Sequence, residues 1–238
     1  DNDMMLTQHV YDQQNGNCFA EHELSFEISW DWLMPVVIKI EEQNELIGTH
    51  ILSTNIDATY KAVVKFIKTY NENLFKAFKD CPWDDLKVVL VCGEPYFDGN
   101  ANGLSLGNNF STSFLSRELL ELFNIVEKEY YDGLCLEWDF TLENWANQGI
   151  LMLNTALSVR ENRPGSHSKP WKRFILATIT AINEYQPGTI FILWDKHSKV
   201  LLPYIKDKHH VLFYEGTNEV LKNTNQILHT KYGRILQW

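Results

Sequence analysis

The sequence predicts an α/β fold: three layers, α/β/α, around a four-stranded parallel sheet, preceded by a small α+β module. Three observations predict it. Short runs of β-branched and large apolar residues at 87–92, 150–153, 189–194 and 210–214 have the length and composition of strands buried on both faces. Between them lie segments whose apolar residues recur every three to four positions, the spacing of one helix face. Strand–helix–strand alternation requires crossover connections, and these give parallel pairing with helices laid against the sheet.

The chain in order begins with a polar stretch, 1–16, rich in Asn, Gln and Asp. Ser29 is placed to cap a helix over 31–42, with Leu33, Val36, Val37 and Ile40 on one face and Pro35 in the first turn. A strand is expected over 46–53. Asp57 then opens a helix over 58–71, where Tyr60, Val63, Val64 and Ile67 face inward and Lys61, Lys65 and Lys68 face out. These elements make residues 1–72 a helix–strand–helix module, and residues 73–238 the main domain. Within the main domain, helices are expected at 74–78, 114–130, 141–147, 171–184, 198–206 and 219–230. In the second of these, Leu115, Leu119, Leu122, Phe123 and Val126 form the inward face. A loop carrying Gly99, Gly103 and Gly107 comes after the first strand.

Composition bounds the function. The 238 residues are 45% hydrophobic and include 13 Phe, 10 Tyr and 8 Trp, enough for a sizeable core. No apolar run approaches the roughly eighteen residues of a membrane helix. No N-terminal leader pattern is visible, and an intracellular setting is expected. Cys18, Cys81, Cys92 and Cys135 have no CxxC spacing, so reduced thiols are expected and neither a metal nor a cofactor is. A net charge of −10 argues against a strongly electrostatic nucleic-acid binder. The charge is uneven, −6 over residues 1–79 and −4 over the longer remainder, which leaves room for a local basic face.

The chemistry sits at strand ends, where α/β sheets place ligands. The first strand runs into Gly93-Glu94-Pro95-Tyr96, a carboxylate and an aromatic around a locked proline. A Gly-Pro turn alone explains that stretch equally well. The second strand ends at Asn154, whose amide offers both a donor and an acceptor and so can read a donor–acceptor edge. The loop beyond it holds Arg160, Arg163, Ser166, His167, Ser168 and Lys169. Hydroxyls, backbone N–H groups and cations suit phosphate contacts, although a solvated turn has the same composition.

In order along about 160 residues, these segments resemble the family 1 uracil-DNA glycosylases. Cys92-Gly93-Glu94-Pro95-Tyr96-Phe97 is similar to the family's Gly-Gln-Asp-Pro-Tyr-His motif, and Gly103-Leu104 to the Gly-Leu downstream. Trp145 to Thr155, reading Trp-Ala-Asn-Gln-Gly-Ile-Leu-Met-Leu-Asn-Thr, is a near-continuous match to the second motif. Ser166-His167, Trp171, Phe191–Trp194, His209–Leu212, Asn225-Gln226 and Trp238 match the family's remaining strands, last helix and C-terminal tail. The resemblance implies the glycosylase fold, DNA as partner, and a base pocket of Gly93, Tyr96, Leu106 and Asn154. In it, Tyr96 blocks a 5-methyl group and Asn154 reads the uracil edge. It further implies Glu94 as the catalytic carboxylate and Arg160, Ser166, His167 and Ser168 as DNA-backbone contacts. The segments 30–37 and 58–67 resemble a stretch found in bacteriophage proteins, which points to a phage-infected bacterium as the setting. Residues 1–72 read as a helical appendage or as a docking module for a protein partner.

Departures from the family pattern bear on activity. The family's water-positioning Asp is Glu94 here, longer by a methylene, and its Gln is Gly93. Its base-stacking aromatic falls near Leu106, and the loop at 108–113 lacks proline. The stretch 213–224 is about ten residues short of the family's and contains neither its His nor its Pro. The family's His donates to the departing uracil anion; His197, His209 and His210 are the candidate substitutes. Three functions are compatible with this pattern: a divergent glycosylase acting on uracil or a related pyrimidine with weakened N-glycosidic hydrolysis, a non-catalytic reader of uracil or DNA on the same fold, and an interaction factor of a replication assembly. The first two favour single-stranded or uracil-containing DNA.

Overall fold

The structure, a computed structural model, describes residues 73–109, 115–132, 138–214 and 219–238. The elements expected at 31–42, 46–53 and 58–71, and the phage-like module expected from them, lie outside the described residues. The expected sheet is present. Strands β1 (Val88–Cys92), β2 (Ile150–Asn154), β3 (Ile190–Leu193) and β4 (His210–Phe213) pair in the order β2-β1-β3-β4, all parallel. Every residue of β1, β2 and β3 is buried. That is why these strands read as continuous apolar runs rather than alternating ones. β2 and β4 are the edge strands, and of the two only β4 has side chains that are partly uncovered.

Flanking the sheet are helices α1 (Lys76–Asp80), α2 (Arg117–Val126), α3 (Glu143–Ala146), α4 (Ser168–Tyr185) and α5 (Val220–Tyr232). Among the described residues, no helix is long and apolar enough to cross a membrane. The differences from the expected elements lie at their ends. The helix expected at 114–130 starts only at Arg117, because the Ser116 hydroxyl caps it by accepting from Leu119 N at 3.1 Å. It then loosens into a π turn, Glu127–Tyr131, which ends at Asp132 with φ 49°. The segment expected as a helix over 198–206 is a 3-10 helix, Ser198–Tyr204, with Pro203 inside it. Proline lacks the N–H that a continuing α-helix requires.

Aromatic edges lock α1 to α4. Phe75 meets Trp171 at 6.1 Å and 83°, and Phe78 meets Phe174 at 5.7 Å and 79°. Such edge-to-face pairs exploit the ring quadrupole.

His209, one of the candidate substitutes named above, is ordinary core. It is buried just before β4 against the edge of Phe191, at 5.3 Å and 76°. Burial, aided by the Lys208 charge, pushes its pKa from 6.5 down to about 4. A neutral-only histidine contributes stability that is complete above the unfolded value. That stability is lost as pH falls from 6.5 towards 4, because the unfolded chain then binds the proton more readily. The expected loss is about 2 kcal/mol between pH 7 and pH 5. Urea unfolding at the two pH values checks this: the drop should shrink in His209→Leu, and an equal drop in both proteins would assign it to other groups.

Candidate functional site

The connections from β1 run in opposite directions. β2 is placed on one side of β1 and β3 on the other, so a crevice opens past the C-terminal end of β1. The chain enters it at Gly93, and this residue ties three strand ends together. Its carbonyl accepts from Thr155 N at 2.6 Å and from the Thr155 hydroxyl at 2.7 Å, beyond β2. Its N–H donates to Asp195 Oδ2 at 2.8 Å, beyond β3. Gly93 was expected in the base pocket; in the structure a carboxylate already occupies its N–H.

Strand register brings Asn154 to the same edge. Cys92 of β1 is the partner of Asn154 in β2, so the amide stands one residue away from Gly93 across the sheet. Asn154 is 4% exposed, and its side chain makes no hydrogen bond among the described residues. Its amide atoms are not among the fully buried unpaired ones, so they open onto the crevice and not into the core.

Tyr96 and Leu106 come together as expected, though through the backbone. The Tyr96 hydroxyl donates to the Leu106 carbonyl at 2.9 Å and accepts from the Ser116 hydroxyl at 2.5 Å. Burial raises the phenol pKa, so it remains a neutral donor. The carbonyl of Leu106 is presented by a left-handed backbone, φ 64°, strained for a leucine. The loop holding it is anchored by Ser105 N, which donates to Met152 O at 3.0 Å, and by Asn108 N, which donates to Phe140 O at 2.9 Å. Residues 110–113 of the adjoining loop lie outside the described residues.

Glu94 is half-buried, and both its carboxylate oxygens accept from a single donor, Gly165 N, at 2.9 and 2.7 Å. A second link, Asn162 N to the Phe97 carbonyl at 3.0 Å, fastens the same loop to the same strand end. The basic loop therefore lies along the crevice with Arg160 and Arg163 exposed. Gly165 has φ 76°, a conformation that glycine adopts without a Cβ clash.

The four expected DNA-backbone contacts fare differently. Arg160 and Ser168 are exposed at the loop and at the start of α4. Ser166 is partly buried, and its hydroxyl accepts from Arg160 N at 2.8 Å, shaping the loop. His167 turns inward. It is 2% exposed, with Nδ1 2.9 Å from the Ser158 hydroxyl, which also accepts from Trp171 Nε1 at 2.8 Å. Burial, with the Arg160 charge adding to it, lowers its pKa, so the ring is a neutral strut beneath the loop. Adjacent residues diverge here because the turn into α4 points alternate side chains inward and outward.

One site residue escaped the sequence reading, Asp195, and His197, named there only as a candidate substitute, lies beside Gly93. Asp195 half-emerges past β3: Oδ2 receives Gly93 N, and Oδ1 receives Ser198 N at 2.6 Å. The signal for it was present, since the strand-end rule applied to 87–92 and 150–153 applies equally to 189–194. A Cβ added to Gly93 would sit 3.1 Å from His197 Cβ and 3.2 Å from Asp195 Oδ2. Beyond β4, Tyr214 stacks on Trp194 at 4.2 Å and 12°, and residues 215–218 lie outside the described residues. Among the described residues no group of His, Cys, Asp and Glu is arranged to hold a metal. A separate cavity of about 330 Å³ opens at the other edge of the sheet, against Lys87, Gln148 and Leu236.

Comparison with known proteins gives consistent relatives. No protein-family model matches the chain. The uracil-DNA glycosylase of Flavobacterium johnsoniae is 32% identical over 181 residues, covering 69% of this chain and 80% of that protein. That of Vibrio campbellii is 35% identical over 157 residues, covering 64% of this chain and 68% of that protein. Among solved structures, mimivirus uracil-DNA glycosylase superposes with a TM-score of 0.71 at 16% identity, covering 94% of each chain. A variant of the mimivirus enzyme in complex with UGI reaches 0.74 at 15% identity, covering 91% of this chain and 90% of that one. At such identities the solved structures attest the fold.

Proposed function

Because this chain belongs to the uracil-DNA glycosylase family, we propose that residues 73–238 recognise uracil or a related pyrimidine in DNA and hydrolyse its N-glycosidic bond at a weakened rate. The observation that carries the reading is Asn154. A 4%-exposed amide with no partner among the described residues, at the C-terminal end of β2, is a donor–acceptor pair awaiting a ligand edge. A pyrimidine with adjacent carbonyl and N–H groups supplies the complement. Tyr96, pinned by Leu106 and Ser116, stands as a rigid wall of the pocket. The exposed Arg160 and Arg163 suit the phosphates flanking an extruded nucleotide. In the reaction, water adds to the sugar C1′ while the bond to the base breaks. Glu94 is the carboxylate that orients the water and offsets the positive sugar.

The pocket reading predicts that Asn154→Ala weakens binding to uracil-containing single strands by about 1–3 kcal/mol and leaves binding to uracil-free strands unchanged. Fluorescence-anisotropy titrations of both DNAs check it. Equal affinity of both proteins for both DNAs would instead favour an interaction protein.

A second reading, a non-catalytic reader of uracil in DNA, draws on Glu94. Both its oxygens are engaged by Gly165 N, so the carboxylate that would hold a water also fastens the loop. Base release from uracil-containing single-stranded DNA, measured with the whole chain, separates the two. Release supports the enzyme; preferential binding without release supports the reader.

A further inference from the structure

A hydrolysis that expels a pyrimidine leaves an electron pair on the base, and a fixed donor near that charge is commonly worth more than any other single group. Five histidines fall among the described residues, and four are in the wrong place or state. His209 is buried and held neutral before β4, and His210 opens β4 at the N-terminal edge, opposite Ile190. His167 is buried beneath the loop on Ser158. His229 lies in the last turn of α5, near Lys231, whose ammonium reaches Gly188 just before β3, again at the N-terminal edge.

His197 differs on every count. It comes after β3 at the C-terminal edge, is exposed, and its ring makes no hydrogen bond among the described residues. Its Cβ and Cγ lie 3.1 and 3.5 Å from where a Gly93 side chain would begin, so it occupies the space that the glycine leaves empty. Its backbone is held on both sides. Asp195 grips Gly93 N through Oδ2 and Ser198 N through Oδ1, and the Ser198 hydroxyl donates back to the Asp195 carbonyl at 2.7 Å. A free imidazole on a fixed loop is thus set against Gly93, with Glu94 next in sequence and Asn154 on the opposite flank.

We propose that His197 is the donor that stabilises the departing base, supplied from the β3 loop. The inference rests on the glycosylase reading above. The C1′–N bond breaks with its electron pair passing to the base. The oxygen of water bonds to C1′, and the proton released passes to the Glu94 carboxylate. The imidazole N–H donates a hydrogen bond to a ring carbonyl oxygen on which the new negative charge collects, and solvent later protonates the base.

The test is single-turnover base release from a uracil-containing single strand by the whole chain, wild type and His197→Ala. It is paired with binding of the same strand carrying a non-hydrolysable 2′-fluoro deoxyuridine. Exposure of His197 makes the alanine variant compatible with folding. The expected result is release slowed about 100- to 1000-fold, binding within about threefold, and partial recovery on adding imidazole. Recovery by the free ring is a response that a merely structural histidine would not give. Release at the wild-type rate would overturn the proposal. So would release and binding lost together without imidazole recovery. If the wild type releases nothing yet prefers the uracil strand, the His197 proposal fails while the reader survives. If it shows no preference either, the glycosylase reading fails with it.

Discussion

Glu94→Gln is expected to abolish base release while leaving affinity for uracil-containing DNA within about threefold. The substitution separates the latch seen in the structure from the catalytic role proposed for this carboxylate. As a latch, it accepts from Gly165 N and holds the Arg160–Arg163 turn along the crevice. Glutamine keeps one acceptor oxygen and nearly the same length, so the latch survives with a neutral hydrogen bond worth about 1 kcal/mol. In the proposed catalytic role it needs its charge, to orient water and to balance the positive sugar, and glutamine has none. The starting rate is itself expected to be low. Glu94 carries its carboxylate a methylene further than the family's Asp, and a misplacement of about 1 Å can cost on the order of a hundredfold. In sequence, the stretch 213–224 is about ten residues shorter than the family's, and on the proposed reading opening a duplex is the harder task. Release should therefore be faster from single strands, which avoid a few kcal/mol of unstacking. Stopped single-turnover assays on matched single and double strands, with wild type, Glu94→Gln and Glu94→Ala, measure all of this. Alanine should lose both rate and affinity, because the loop is unfastened. Unaltered release in Glu94→Gln would make the residue a latch alone, and robust turnover on duplex DNA would show that its extra methylene does not matter.

Trp171→Ala should cost about 3–5 kcal/mol, a large part of the 5–15 kcal/mol that holds an ordinary domain together. The indole is 1% exposed and meets Phe75 and Phe174 edge-on at 6.1 and 5.7 Å, so its removal opens a cavity where α1 and α4 pack. Its N–H also holds the Ser158 hydroxyl, which in turn holds His167 under the basic loop. The loss should reach the site, weakening DNA binding before it unfolds the protein. Trp171→Phe keeps most of the apolar area and deletes the donor. Because Ser158 retains His167 as a partner, that change should cost about 1 kcal/mol for the bond itself, plus a smaller packing loss. Urea midpoints of the three proteins check the order. Equal midpoints for alanine and phenylalanine would place the stabilisation in the hydrogen bond rather than in packing.

How much of this was legible beforehand depends on the range of the interaction. Strand runs such as Val88–Cys92 and Ile150–Asn154 announce themselves, because burial on both faces leaves an unbroken apolar record in the chain. Helix faces announce themselves by period, and the ordered motifs that carry Gly93, Glu94, Tyr96 and Asn154 identify the family by residue type and spacing alone. By itself, then, the sequence determined the parallel sheet and the C-terminal edge of it at which Gly93, Glu94 and Asn154 gather. Tertiary structure alone decided what those residues are bound to. The Gly93 N–H meets Asp195, 102 positions away, the Glu94 carboxylate meets Gly165, 71 positions away, and His167 turns inward while Ser168 turns out. A local pattern records whether a side chain is buried. It does not record which distant donor fills a given lone pair, because that pairing is fixed only when crossovers bring separate strand ends within about 3 Å of one another.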